Sequence, residues 1–153
     1  MHLQGSDGTS LKLEIVGYEF PEEAEAEYDS NWLMVRLSAT LLEDSWTATD
    51  PFLLTYEVAE LANWLEEIAR GTAAEMEIGF TEPNIWYQVV AAANGQSCLR
   101  AYFAAECRPP WAFTLKHDSR DSFAQFALHE IDLHRAAESL REQLARYPQR
   151  AEY

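Results

Sequence analysis

Residues 129–134 (HEIDLH) place two histidines around a glutamate, a combination of side chains that can bind zinc and activate water. The segment is similar to the zinc-protease motif HExxH, in which the two histidines lie four positions apart on one helix face. Here the second histidine comes one residue late, and the pair spans a predicted strand end and helix start. The geometry of a zinc site therefore fails, and ordinary polar surface is the favoured interpretation.

Other catalytic patterns give no stronger signal. His117 and Asp118 lie beside Arg120 and Asp121, which favours a charged turn over an acid-base pair. The chain has no G-x-S-x-G, C-x-x-C, Walker or G-x-G-x-x-G motif. Its 26 acidic residues allow many carboxylate pairs in space, but the local sequence marks none of them. The sequence therefore predicts no catalytic residue, no metal ligand and no cofactor site, and we expect the protein not to be an enzyme.

An acidic segment is the first feature that could recognise a partner. Six carboxylates fall within eleven positions, on what the sequence predicts to be a loop: Glu19, Glu22, Glu23, Glu25, Glu27 and Asp29. A solvated loop that aids solubility is the simpler interpretation. The functional alternative is a landing site for a basic protein, because such a patch accelerates association electrostatically.

A strand face that carries Trp32, Met34 and Arg36 is the second such feature. These residues alternate with aliphatic ones, so they lie opposite the predicted core face of the strand. Trp and Arg are the residue types that most often anchor protein interfaces. Trp32 and Arg36 are therefore candidate anchors, although a second apolar layer packed on this face would explain Trp32 and Met34 equally well.

Charge and composition restrict the classes of partner. The chain has 153 residues, with 26 acidic against 11 basic side chains and a net charge of −15. Binding to nucleic acid or to an anionic membrane surface requires lysine and arginine, so we expect neither. Hydrophobic residues make up 48% of the chain, which is too many for a disordered protein. The length suits a single domain.

Alternating apolar residues predict about seven or eight strands. They lie near residues 11–15, 31–39, 46–48, 76–80, 85–92, 99–107, 111–115 and 123–130. Asn94-Gly95 predicts a tight hairpin between two of them. The last strand is apolar on both faces, which favours a central position in the sheet. Consecutive strands with tight turns indicate antiparallel pairing.

Two amphipathic helices complete an α+β fold, near residues 55–70 and 132–147, and we expect both to pack on the sheet. Thr55 is the predicted N-cap of the first helix, and Gly71 ends it. Asp132 is the predicted N-cap of the second helix, and Pro148 marks its end. We expect a flexible N-terminal lead-in over residues 1–10 and a single globular domain over residues 11–153.

The cysteines and the N-terminus bear on the compartment. The first ten residues lack the basic and apolar regions of a signal peptide, and no apolar run is long enough to span a membrane. Cys98 and Cys107 fall in one predicted strand, nine positions apart, so they would face opposite sides and be too distant for a disulfide. We expect two reduced thiols in a cytoplasmic protein.

Several blocks carry a family resemblance: YDSNWL at 28–33, WTATDP at 46–51, LTYE at 54–57 and LANWL at 61–65. Over about residues 17–69 the chain resembles the WapI-type immunity proteins, which are small, acidic bacterial proteins associated with contact-dependent polymorphic toxins. The resemblance implies an inhibitor that binds the toxin domain of a sibling cell and blocks its active site. It implies no catalytic residue.

Two hypotheses follow. The first is a non-enzymatic immunity-type protein that neutralises a basic toxin domain, for example a nuclease. Glu22, Glu23, Glu25, Glu27 and Asp29 would steer the partner, and the anchors would be Trp32 and Arg36. The alternative is a small-ligand-binding or scaffolding module, in which Trp86, Tyr102 or Trp111 lines an enclosed apolar pocket.

Overall fold

A computed structural model describes residues 1–22, 28–114 and 122–150 of the chain. The expected α+β fold is confirmed: two antiparallel sheets of four strands each are combined with two helices. The strands are β1 (His2–Gln4), β2 (Ser10–Tyr18), β3 (Trp32–Leu41), β4 (Asp44–Leu54), β5 (Glu77–Ile78), β6 (Ile85–Ala91), β7 (Ser97–Phe103) and β8 (Phe123–Ala127). The helices are α1 (Thr55–Arg70) and α2 (Leu133–Arg146).

The first sheet has the strand order β1-β2-β3-β4. Alternation places Leu33, Val35 and Leu37 of β3 in the core, with relative exposures of at most 1%. Trp32 and Arg36 lie on the opposite face, as the pattern predicts. The strand predicted at 46–48 is confirmed but longer, because it runs on to the start of α1.

The flexible lead-in expected over residues 1–10 is wrong for most of this segment. His2–Gln4 pairs with β2 as an edge strand, and Met1 and Leu3 are buried. A three-residue strand is too short to show an alternating pattern, so its sequence carries no periodic signal. The strand is ordered by its pairing with β2, the next strand along the chain, and by the burial of Met1 and Leu3 in the core.

The second sheet has the order β5-β6-β7-β8. The Asn94-Gly95 hairpin is confirmed: Gly95 adopts a left-handed conformation with φ of 80°, and the Asn94 Oδ1 accepts a hydrogen bond from the Gln96 amide. Strand β8, expected at the centre of a sheet, lies at its edge. Its apolar residues are covered by the shared core on one face and by aromatic neighbours on the other, not by two flanking strands.

Two further strand predictions are corrected between β7 and β8. The segment Pro110–Thr114 forms a 3-10 helix instead of a strand. Cys107 also lies in a short 3-10 helix, Ala105–Cys107, and so it does not share a strand with Cys98. Both thiols are free and buried. Alternation of large residues occurs by chance over four or five positions, and here proline interrupts the backbone pairing that a strand needs.

Helix α1 has the predicted bounds but a different N-terminal cap. The Glu57 carboxyl group accepts a hydrogen bond from the Leu54 amide at 3.0 Å, and Leu54 occupies the cap position. Thr55, predicted as the cap, instead donates from its hydroxyl to the Asn31 Oδ1 at 2.9 Å. Gly71 ends the helix in a left-handed conformation, as predicted.

Helix α2 begins as predicted, with the Asp132 carboxylate accepting from the Arg135 amide at 2.9 Å. The two helices pack on each other, and their apolar stripes join both sheets in one continuous core. Gln143 extends this packing through buried polar contacts, since its side chain accepts from the Ile15 amide at 2.7 Å and donates to the Leu13 carbonyl at 3.3 Å. Neither helix is long and apolar enough to cross a membrane, within the described part of the chain.

Candidate functional site

The acidic segment leaves the first sheet after β2 and returns to it before β3. Glu22 and Asp29 lie near its two ends, and both are exposed. Three of the predicted steering residues, Glu23, Glu25 and Glu27, lie outside the described residues. The role of all five carboxylates in partner binding stays a prediction.

The base of the acidic segment is held by residues near position 150. The Arg150 guanidinium donates to the Phe20 carbonyl at 2.8 Å and to the Pro21 carbonyl at 3.2 Å, and it covers the Tyr18 ring at 3.4 Å. On the other side of the segment, the Arg150 amide donates to the buried Asn31 Oδ1 at 2.8 Å. One residue therefore binds the chain both just after β2 and just before β3, at the two described ends of the acidic segment.

Sequence patterns give little reason to select Arg150. It follows a proline and a glutamine after the end of α2, in a stretch without periodicity. The Tyr18 hydroxyl, which donates to the Pro148 carbonyl at 2.6 Å, adds to the same anchorage. Only the folded chain brings these positions together.

Further carboxylates extend the acidic surface beyond the loop. We call Glu19, Asp29, Asp50 and Glu106 the acidic edge, because each lies close enough to another member to repel it electrostatically. Burial, followed by repulsion from Asp29 and Asp50, raises the pKa of Glu19. Burial and then repulsion from Glu106 raise the pKa of Asp50.

A buried asparagine joins two members of the acidic edge. The Asn84 side-chain amide donates to the Glu106 carboxylate at 3.2 Å and lies 3.5 Å from the Asp50 carboxylate. Its hydrogen bond partly offsets the rise in the pKa of Asp50. Asp50 and Glu106 come from β4 and from the segment after β7, and sequence analysis did not single out either of them. Their proximity depends on the packing of the two sheets.

The two predicted anchors lie on one strand face but in different surroundings. Trp32 opens β3, three residues after Asp29, and is partly exposed. Arg36 lies four residues further, a rise of about 13 Å, and is exposed. Arg36 faces Glu14 across the sheet, and Glu14 also forms an ion pair with Lys12 at 2.8 Å. Trp32 therefore lies beside the acidic segment, whereas Arg36 belongs to a mixed-charge patch.

The histidine pair considered for metal binding is split between two partners. The His129 imidazole lies 3.9 Å from the Glu130 carboxylate, and the His134 imidazole lies 3.7 Å from Glu66 of α1. Over residues 1–22, 28–114 and 122–150, no three histidine, cysteine or acidic side chains are grouped as a metal site would require. His117 and Asp118 lie outside these ranges.

The Cys107 thiol has low nucleophilic reactivity. Burial raises its pKa to about 12, so the thiol stays protonated at neutral pH. Because the thiolate is the nucleophile, a thiol in this state does not support covalent catalysis. Its sulfur lies 3.9 Å from the Asn84 side-chain nitrogen, next to the acidic edge, where it fills space in the core.

Trp86, Tyr102 and Trp111, which the alternative hypothesis places around one ligand pocket, do not line a common pocket. Trp86 and Tyr102 stack on each other at 3.8 Å with nearly parallel rings, which leaves Tyr102 only 3% exposed. Trp111 lines an open groove of about 380 Å³ together with Phe123, and neither Trp86 nor Tyr102 lines that groove. The enclosed apolar pocket that the alternative requires is not formed by these three residues together.

The raised pKa of Asp50 predicts that removing its charge stabilises the folded protein, and that the gain depends on pH. The pKa of Asp50 is higher in the folded than in the unfolded chain, so its ionisation costs stability as the pH rises through that raised value. Asp50→Asn keeps an oxygen near Asn84 but removes the charge. We expect it to be more stable than the parent protein at pH 7, with a smaller difference at about pH 4.

Urea unfolding at the two pH values measures this difference. Asp44→Asn is the matched control, because Asp44 is exposed on the same strand and does not belong to the acidic edge. An Asp50→Asn protein that is no more stable than the parent at pH 7 would show that the acidic edge carries no electrostatic strain.

Comparison of the sequence with known proteins and protein families assigns the chain to a family. No curated protein and no solved structure matches the chain. Residues 2–148 match the family described as the immunity protein WapI-like family. The match includes the blocks at 28–33, 46–51, 54–57 and 61–65, and it extends through the second sheet and α2. Since it covers nearly the whole sequence, the chain belongs to the WapI-like immunity protein family.

Proposed function

We propose that the protein is a non-enzymatic inhibitor that binds a toxin domain with a basic surface and neutralises it. Family membership supports the class of partner, because immunity proteins are named for protection against a toxin. The proposal places the protein in the cytoplasm, where a toxin that attacks RNA or DNA would act. It assigns the contact to the acidic segment and the acidic edge.

The convergence of carboxylates from separate parts of the chain in the acidic edge, two of them joined by Asn84, is the observation that carries this assignment. Burial, followed by repulsion from neighbouring carboxylates, raises the pKa values of Glu19 and Asp50 in the free protein. A cationic surface placed against them would relieve that repulsion and favour their charged forms. Groups with perturbed pKa values cluster at functional sites, which supports a role in binding for this surface.

A basic nuclease domain fits such a surface by charge. Enzymes that act on RNA or DNA bind phosphate groups through lysine and arginine. A row of carboxylates can occupy the same side chains and exclude the substrate. The long-range attraction between the two surfaces would also speed their encounter, as in other complexes of opposite charge.

Affinity capture from a lysate of the source organism tests the proposal. The purified protein is immobilised, the lysate is applied at low and at high salt, and retained proteins are identified by mass spectrometry. We expect one basic protein that is retained at low salt and weakened at high salt. Its toxicity on expression in a test strain should be suppressed by co-expression of the protein.

The matched bait is a triple variant, Glu22→Gln, Asp29→Asn and Asp50→Asn, which removes described carboxylates without reversing charge. It should retain less of the same protein. Retention that does not change with salt or with this variant would contradict an electrostatic contact. A captured protein that is not toxic, or whose toxicity persists on co-expression, would contradict the inhibitor function itself.

A further inference from the structure

The tip of the β3–β4 hairpin exposes a leucine in a strained conformation. Leu41 and Asp44 are the last paired residues, so Leu42 and Glu43 form the two-residue turn. Leu42 has φ of 56°, in the left-handed region where leucine is disfavoured and asparagine or glycine is usual. Its side chain is 88% exposed. A leucine here therefore strains the turn and contributes little to the core, which favours a role in contact with another molecule.

Leu42 lines the open groove that also contains Trp111 and Phe123. Trp111 is 42% exposed, and its ring packs edge-on against buried Trp46 at 5.4 Å. The Arg100 guanidinium covers Phe123 at 4.4 Å. The aromatic walls are thus held by neighbours within the fold, so the groove is formed before any partner arrives. Its volume of about 380 Å³ is large enough for an apolar side chain with part of its backbone.

Two carboxylates give the groove a negative charge. Asp7 and Asp44 both line it, and among the described residues they outnumber the one cation placed against its walls, the Arg100 guanidinium on Phe123. Asp7 accepts a hydrogen bond from the Thr9 amide at 2.9 Å, which fixes its position and lowers its pKa. The groove therefore combines apolar residues with an excess of carboxylates, which favours a basic segment over an acidic one.

We propose that this groove binds a partner-protein segment in which a leucine-sized or phenylalanine-sized side chain is flanked by lysine or arginine. The apolar side chain packs between Leu42 and Trp111, and the flanking cations pair with Asp7 and Asp44. Strand β3, with ten residues from Trp32 to Leu41, separates the groove from the acidic segment by about 30 Å. The groove is consequently a second contact surface and does not depend on the proposed toxin contact.

Titration with a short peptide tests the groove directly. The probe is acetylated and amidated Gly-Lys-Leu-Arg-Gly, added to the isotopically labelled full chain and followed by NMR. We expect saturable shifts of the Trp111 indole N–H and of the Leu42 and Asp44 amides, with millimolar affinity. The peptides Gly-Glu-Leu-Glu-Gly and Gly-Lys-Gly-Arg-Gly should cause much smaller shifts, because each lacks one half of the recognised chemistry.

Leu42→Asn separates binding from folding. Asparagine tolerates the left-handed turn, so the variant should unfold at an equal or higher urea concentration than the parent chain. It should nevertheless bind the probe about tenfold more weakly, because the apolar wall is lost. Met76→Ser is the matched control, since Met76 is 49% exposed and does not line this groove. It should bind the probe like the parent.

Three results would overturn the proposal. They are the absence of localised shifts at saturating probe, equal affinity of the Leu42→Asn protein, and equal affinity for Gly-Lys-Gly-Arg-Gly. Shifts at the same positions on increasing the protein concentration without peptide would assign the groove to self-association instead. None of these results depends on whether the acidic edge binds a toxin.

Discussion

Replacing Glu57 with alanine should lower the free energy of unfolding by roughly 3–5 kcal/mol. The Glu57 side chain is 3% exposed and accepts three hydrogen bonds. One comes from the buried Leu54 amide at 3.0 Å, and two come from the Thr81 amide and hydroxyl, each at 2.7 Å. Alanine would leave the buried Leu54 amide without an acceptor, would break both contacts to Thr81 and would uncap α1 in the same step. Urea unfolding at pH 7 measures the loss.

Glu60→Ala is the control for the Glu57 prediction, because it changes an exposed glutamate of the same helix. It should alter stability by no more than about 0.5 kcal/mol. Glu57→Gln should fall between the two, since an amide keeps one acceptor oxygen but presents a donor to the second site. A Glu57→Ala protein as stable as Glu60→Ala would show that these hydrogen bonds do not support the fold.

Reversing the charge of the acidic segment should slow the association with the captured partner about tenfold or more at low salt. The variant replaces Glu22, Glu25 and Asp29 with lysine. Opposite charges steer the encounter of two proteins, so their reversal should lower the association rate and flatten its dependence on salt. Stopped-flow or surface-based kinetics at several salt concentrations would measure both quantities.

Net charge must be separated from its location in this experiment. The control reverses three exposed glutamates elsewhere, Glu60, Glu67 and Glu82, and so changes the total charge by the same amount. It should slow association much less. If the two triple variants associate equally slowly, the overall charge of −15 steers the partner and the acidic segment has no special part in binding.

Sequence patterns predict well those elements whose signal is repeated along the chain. Strand β3 and the stripes of α1 and α2 each contain several apolar residues at a regular spacing, so single exceptions do not hide them. The Asn94-Gly95 hairpin is equally secure, because only a few residue types tolerate its backbone. The α+β class and the helix bounds follow from these elements.

The errors fall where one contact decides the structure. Thr55 has the right type for a cap, but the Asn31 side chain takes its hydroxyl and Glu57 supplies the capping oxygen. Strand β1 depends on pairing with β2 alone. The segment Pro110–Thr114 shows a strand-like alternation, but Pro109 and Pro110 cannot donate the backbone hydrogen bonds that strand pairing needs. Which partner each of these residues finds depends on the folded structure, and the local sequence pattern does not show it.

The candidate site also contains one part that the sequence predicts and one part that it does not. The run of acids between Glu19 and Asp29 is visible in the sequence because its members are neighbours. Asp50, Glu106 and Arg150 join it only through folding, from three widely separated positions. Sequence analysis therefore locates the centre of the acidic surface and misses its border and its anchor.

The anchor at Arg150 has a consequence for the order of folding. Its contacts with Asn31 and Phe20 close loops of about 120 and 130 residues, among the longest separations of the hydrogen bonds within the described residues. Contacts of this kind form late, because the chain must lose much entropy before they can close. During synthesis, they also wait until position 150 has left the ribosome. The contacts that hold Phe20, Pro21 and Asn31 at the base of the acidic segment thus form only after position 150 has been synthesised, so a nascent chain lacks this anchorage until then.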